Sequence, residues 1–192
     1  MTGAPFRLMP EDAERFVRLR RAMLESEPWA FAGNPEDDEA LDRTRVAARF
    51  AETPAATFAV EGENRGELWG AASVARGREP KFAHRARIWG VFVDPAQRRR
   101  GLGNALMSAA IDTARSWGVE YLDLSVSDRS PEARRLYERL GFRVWGREPE
   151  ATAHGSERYD EIHMTLKLEP SRGARIESGP ERKVQADDAA SA

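Results

Sequence analysis

The chain has 192 residues, 41% of them hydrophobic and 32% charged, with a formal net charge of −2. That balance suits one well-formed core and excludes the global basic field on which nucleic-acid binding draws. Cysteine is absent, and the three histidines, His84, His154 and His163, form no close pair, which excludes disulfides, thiolate chemistry and a zinc helix.

In chain order, Phe6-Arg7-Leu8 predicts a short strand, and Pro10 introduces a helical pattern through Phe16, Leu19 and Met23 to Leu24. Pro28 stops it, and Trp29, Ala30 and Phe31 follow in a loop. An acidic stretch then leads into a second helix with Leu41, Val46 and Phe50, ending before Pro54. Thr57 to Val60 and Leu68 to Val74 predict two strands of a hairpin, joined by a polar turn. Arg76 to Arg85 reads as a connecting loop before a strand from Ile88 to Val93, which Asp94-Pro95 ends.

Leu102, Leu106, Ala109, Ala110, Thr113 and Trp117 share one helical face, and Gly118 supplies the stop. Tyr121 to Val126 predicts the next strand. Ser130-Pro131 then offers an N-cap and first turn to a helix carrying Ala133, Leu136, Tyr137 and Leu140, closed by Gly141. Phe142 to Trp145 and Ile162 to Leu168 are the last predicted strands. The sum is a mixed α/β domain of the α+β type over residues 1–168, six to seven largely antiparallel strands flanked by about four helices. Residues 169–192 carry too few apolar side chains to offset ordering entropy and are expected to form a disordered tail.

The most informative junction is Arg98-Arg99-Arg100-Gly101-Leu102-Gly103, between the strand Val91-Phe92-Val93 and a long helix. Two glycines at a helix start let several backbone N–H groups converge where the helix dipole favours negative charge, so the loop is a phosphate cradle. A Walker loop would need lysine and then Ser or Thr after the second glycine, where Asn104-Ala105 stands. A dinucleotide fingerprint would need Gly or Ala where Leu106 stands. What is left is a ligand whose pyrophosphate rests on the helix start while its remainder runs along the preceding strand, as coenzyme A would.

At these residues the sequence resembles the GNAT superfamily of N-acetyltransferases. The cofactor motif of that family is Arg or Gln, two residues, Gly, one residue, Gly or Ala, matched by Arg98, Gly101 and Gly103. Its second hallmark, a helix with a tyrosine shortly before Gly-Phe, is matched by Tyr137, Gly141 and Phe142. The resemblance spans about residues 5 to 168. It implies acetyl-CoA as donor, with the backbone of Val91, Phe92 and Val93 along the pantetheine arm and N–H groups from Arg98, Arg99, Arg100, Gly101, Leu102, Gly103 and Asn104 at the pyrophosphate. Gly90 is placed to ease a bulge in that strand. Ser130 stands where the family often has asparagine, so it is a cap or a short-reach cofactor contact.

Acyl transfer to an amine needs a neutral nucleophile, yet a lysine-type amine with a pKa of roughly 10.4 is almost wholly protonated at neutral pH. By resemblance, Tyr137 is the general acid for the departing thiolate; by spacing alone it belongs to the helix's apolar stripe. No base announces itself. Glu161 is the candidate base or substrate contact, Asp160, His84 and Glu27 are alternatives to it, and a water relayed to a carboxylate would serve equally; Trp29 and Phe31 either wall an acceptor pocket or pack the core. The expected function is acetyl transfer by direct attack in a ternary complex, to a primary amine of a small molecule or protein. A non-catalytic acyl-CoA-binding module, or an interaction protein using the basic loop, stays open. No apolar run approaches the roughly 18 residues of a membrane span, and the N-terminus lacks the pattern of a secretion signal. A cytoplasmic monomer or homodimer, without metal, nucleic-acid or membrane partners, is expected.

Overall fold

In a computed structural model, residues 3–64 and 66–169 are described. They form one sheet of seven strands: β1 (Phe6–Arg7), β2 (Ala55–Glu61), β3 (Leu68–Arg76), β4 (Arg85–Val93), β5 (Tyr121–Ser127), β6 (Arg143–His154) and β7 (Glu157–Lys167). Its order is β1-β2-β3-β4-β5-β7-β6, antiparallel throughout except for the parallel pair β4–β5. Four α-helices complete the described residues, α1 (Ala13–Ser26), α2 (Arg43–Phe50), α3 (Leu102–Ser116) and α4 (Pro131–Arg139). The predicted mixed, largely antiparallel architecture is the one observed. The expected tail, from residue 170 onward, lies outside the described residues.

Helix α1 buries Ala13, Phe16, Leu19, Met23 and Leu24, the three-and-four spacing of one helical face. Helix α2 starts later than its apolar pattern suggests. The Asp42 carboxylate accepts from the N–H groups of Thr44 and Arg45 at 2.8 and 3.1 Å, which fixes Arg43 as first residue and leaves Leu41 in a separate turn. Both helices lie on one face of the sheet, where Phe16, Leu19, Met23, Val46 and Phe50 meet Ala59, Leu68, Ala71 and Phe92. On the other face α3 lays Met107, Ala110, Ile111 and Ala114 over Val74, Ala86 and Ile88, and α4 adds Tyr137 beside Leu124, Val126, Ile162 and Met164.

Three strand predictions are corrected. Strand β4 begins at Arg85, because its first residues pair on both sides, with Ala75 and Arg76 of β3 and with Tyr121 to Asp123 of β5. The polar stretch after Trp145 belongs to a long hairpin, β6–β7, turning at Gly155-Ser156. Each of its strands runs far beyond the four to seven residues predicted, since β6 is an edge strand with no buried residue and shows no alternation to read.

Two irregularities place the site. Strands β4 and β5 are in register only at Arg85–Tyr121, Ala86–Leu122 and Arg87–Asp123. Arg85 clamps that end, its guanidinium donating to both Asp123 carboxylate oxygens at 2.8 and 2.7 Å. Beyond it the strands part. The second irregularity is a bulge: Ala71 pairs with Phe92 and Ser73 with Trp89, so Gly90 and Val91 together oppose Ala72. Gly90 has φ +62°, a backbone conformation that glycine adopts without penalty.

Candidate functional site

The bulge decides which way each β4 side chain points. Arg85, Arg87 and Trp89 line a cleft on the helix-free face of β5, β7 and β6, whereas Ala86 and Ile88 face α3. After Gly90 the alternation shifts, so Val91 and Val93 pack toward α3 and Phe92 faces α1 and α2, against Phe31. From Ile88 to Val93 the β4 edge toward β5 has no registered partner. It therefore offers backbone N–H and C=O groups to an extended, amide-bearing ligand.

From Val93 the chain turns through Pro95–Gln97, capped by Asp94, whose carboxylate accepts from the N–H of Ala96 at 2.8 Å. Arg99 at φ 64° and Gly101 at φ 80° then curl the backbone into the start of α3. The first α3 bond runs from the Ala105 N–H to the Gly101 carbonyl, 3.0 Å. The N–H groups of Leu102, Gly103 and Asn104 precede it and are free of helical partners, which is the donor set a pyrophosphate needs. A Cβ at Gly103 would lie 3.1 Å from Leu136, so glycine lets α4 close against this helix start.

Each side chain of the loop has its own place. Arg98 donates from Nε to the Val93 carbonyl at 3.1 Å and from its terminal nitrogen to Glu27 at 2.5 Å, tying the end of α1 to the loop. Arg100 lies over the Trp69 ring, 5.6 Å from its centroid, and Arg99 is exposed. Leu102 is buried against Trp69 and Leu106, so it contributes backbone only.

Tyr137 is buried at 5% exposure, 6.1 Å from Phe142 in the α4 core. Burial first, and the Glu27 carboxylate second, push its hydroxyl well above the ordinary tyrosine range. It therefore keeps its proton at neutral pH. Ser130 occupies the N-cap position of α4, but its hydroxyl makes no capping bond.

The base candidates separate. Asp160 donates nothing and accepts the Glu150 N–H at 2.9 Å and the Arg147 guanidinium, holding the bulge at Pro149 to Ala151. Those two bonds, the backbone N–H first, hold its carboxyl below the usual range. His84 sits before Arg85 at the clamped end, roughly 30 Å of extended strand from Val93. Trp29 and Phe31 line a cavity of about 270 Å³ with Thr152 and Tyr159 of the hairpin, while the Phe31 ring also packs at a tilt against Phe92, 6.3 Å between centroids.

Glu161 belongs to a cluster that sequence reasoning missed. It pairs in register with Ser127 on β5 and Glu148 on β6. A side-chain nitrogen or oxygen of each of Glu148, Glu161 and His163 lies within 4.8 Å of the other two, and His163 Nε2 is 3.0 Å from a Glu148 oxygen. His163 and Trp145, stacked at 5.3 Å, line the helix-free cleft of about 610 Å³, together with Trp89, Leu124 and Ser125 where β4 and β5 part. The only signal in the sequence was position: Glu148 and His163 are equidistant from the Gly155-Ser156 turn.

The family model described as Acetyltransferase (GNAT) family matches residues 19–142. A mycothiol acetyltransferase of Beutenbergia cavernae is 34% identical over 116 residues, 59% of this chain and 37% of that protein. An L-methionine sulfoximine/L-methionine sulfone acetyltransferase of Pseudomonas aeruginosa is 32% identical over 84 residues, 44% of this chain and 49% of that protein. The matched stretch thus spans half or less of these relatives. Among solved structures, a phosphinothricin acetyltransferase from Sinorhizobium meliloti in complex with acetyl-CoA has a TM-score of 0.75 at 18% identity, covering 93% of this chain and 98% of that one. A putative acetyltransferase from Salmonella typhimurium with acetyl-CoA has a TM-score of 0.74 at 21% identity, covering 88% and 95%. No helix among the described residues is long and apolar enough to cross a membrane.

Proposed function

Because the chain belongs to the acetyltransferase (GNAT) family, we propose that it transfers an acetyl group from acetyl-CoA to a primary amine by direct attack in a ternary complex. The observation that carries this reading is the meeting of three features at one gap: free N–H groups at the α3 start, an unpaired β4 edge, and a buried, protonated Tyr137. In this reading the N–H groups of Leu102, Gly103 and Asn104 hold the pyrophosphate, and the β4 edge from Gly90 to Val93 pairs with the pantetheine amides. Bound acetyl-CoA supplies an activated thioester. Tyr137 supplies the proton that a departing thiolate takes up.

The Arg98 side chain is assigned a positioning role, since it is engaged by Glu27 and the Val93 carbonyl. The acceptor, a small molecule or a protein amine, reaches the gap from the helix-free cleft, because Trp89, Leu124 and Ser125 form the cleft wall where the strands part. The acceptors in the relatives' names differ, so its class rests on this chain's own side chains.

Acetyl-CoA at a hundredfold excess over its Kd is expected to stabilise the fold by about 2.7 kcal/mol, read as a Tm shift. Tyr137→Phe is expected to lower kcat on the order of 10²-fold with the Tm shift retained. Wild-type kcat in that variant would remove Tyr137 from proton transfer. Binding without thiol release for any amine would make the protein a non-catalytic acyl-CoA module.

A further inference from the structure

We infer that His163, oriented by Glu148, accepts the proton of the incoming amine, and that the cleft it lines takes a primary amine carried on an apolar, ring-bearing body. This rests on the acetyltransferase reading and adds the base and the acceptor class, for which the described residues offer one converging set of groups.

The geometry is specific to the hairpin. His163 lies opposite Gly146 on β6, whose missing side chain leaves the ring's flank open, and Glu148, two residues along the same face, reaches Nε2 at 3.0 Å. A carboxylate accepting from Nε2–H leaves Nδ1 with the lone pair, as orienting carboxylates do for imidazole bases. On the other side His163 is in register with Ser125 of β5, next to the gap between β5 and β4. The ring is thus one strand away from the opening between β5 and β4.

The charged groups around it are Glu148 on β6, Glu161 on β7, Asp123 on β5, Arg85 and Arg87 on β4, and Arg76 on β3. Arg85 and Asp123 neutralise each other, and Arg76 donates to the Trp117 carbonyl at 3.3 Å. Arg87 faces the cleft with Ser125 Oγ as its hydrogen-bond partner at 3.4 Å. The bulkiest uncharged side chains of the wall are aromatic: Trp89, Trp145 at 65% exposure and Phe82 at 57%. Such a cleft favours an apolar, ring-bearing body over an extended chain of hydrated charges.

The proton ledger closes. The amine arrives as an ammonium ion and gives one proton to Nδ1. Its neutral nitrogen attacks the acetyl carbon; the C–N bond forms, the C–S bond breaks with its electron pair going to sulfur, and sulfur takes the Tyr137 proton. The second nitrogen proton returns to Tyr137 through solvent, and His163 releases its own, leaving amide and thiol.

The test uses the purified full chain with acetyl-CoA and phenethylamine, following thiol release, with spermidine as contrast. His163→Gln is expected to cut kcat/KM for phenethylamine at least tenfold at pH 7, leave KM for acetyl-CoA within twofold, and abolish the acidic limb of the kcat/KM profile. Glu148→Gln, which leaves the ring in place, is expected to lower kcat/KM less than His163→Gln does. The ¹⁵N spectrum of the wild-type imidazole should show the Nε2-protonated tautomer, lost in Glu148→Gln, a readout independent of turnover. Phenethylamine should exceed spermidine at least tenfold in kcat/KM. An unchanged limb in His163→Gln, or an Nδ1-protonated ring, overturns the base, and a preference for spermidine overturns the acceptor class. Absence of thiol release from wild type with every amine overturns the enzymatic reading, and this inference with it.

Discussion

Strand β3 is buried from Leu68 to Val74 without interruption, whereas β6 buries none of its residues. The first lies in the half of the sheet that carries α1 and α2 on one face and α3 on the other; the second lies in the half covered on one face only. A strand sandwiched between helices must be apolar on both sides, so β3 reads as small and apolar residues, and Gly70 is there because a Cβ would meet the Phe92 carbonyl at 2.5 Å. A strand with a bare face is free to carry charge, rings and bulges. Stability is concentrated in the first half, and the chemistry open to an acceptor in the second.

The sharpest test of that contrast is Met23→Ala in α1, fully buried against β1–β4, expected to cost about 2–5 kcal/mol in denaturant unfolding. Next is the alkaline side of stability. The Tyr137 hydroxyl holds its proton to higher pH in the folded than in the unfolded chain. Its contribution is therefore complete below about pH 10 and is lost as pH rises beyond. Tyr137→Phe should flatten that loss in a series of urea melts between pH 8 and 11. Gly90→Ala, at the seam of the two halves, meets no atom closer than Ser73 Oγ at 4.0 Å. Its cost, about 1–2 kcal/mol, is backbone strain at φ +62°. Smallest is Trp145→Ala on the bare face, a larger truncation than Met23→Ala that should stay within about 0.5 kcal/mol. A Trp145→Ala loss comparable to that of Met23→Ala would break the comparison.

The same division governs what the sequence reveals. Helix α3 is legible because Leu102, Leu106 and Ala110 must face the sheet, and the loop before it because only glycine at 101 and 103 permits its curl and the approach of Leu136. The hairpin is not, since a bare face imposes no alternation and Pro149 sits in a bulge rather than ending the strand. Thus Glu161 reads as one candidate acid beside Asp160, while Glu148 and His163, brought to it by hairpin register, give no sign of belonging with it. Capping chemistry misled once in each direction: Asp42 starts α2 later than its apolar residues suggest, and Ser130 begins α4 without using its hydroxyl.

The bulge at Gly90 acts as a frameshift written in space. Upstream of it, odd-numbered β4 residues look toward the bare cleft and even-numbered ones toward α3; downstream the parities exchange, so Val91 and Val93 look toward α3. One short strand thereby serves two compartments, its first half walling one and its second half the other. Straightening the bulge with Gly90 retained would impose one parity on the whole strand and turn Val91 and Val93 away from α3, so the extra residue is what keeps both valines on that side and lets the two compartments meet within one strand.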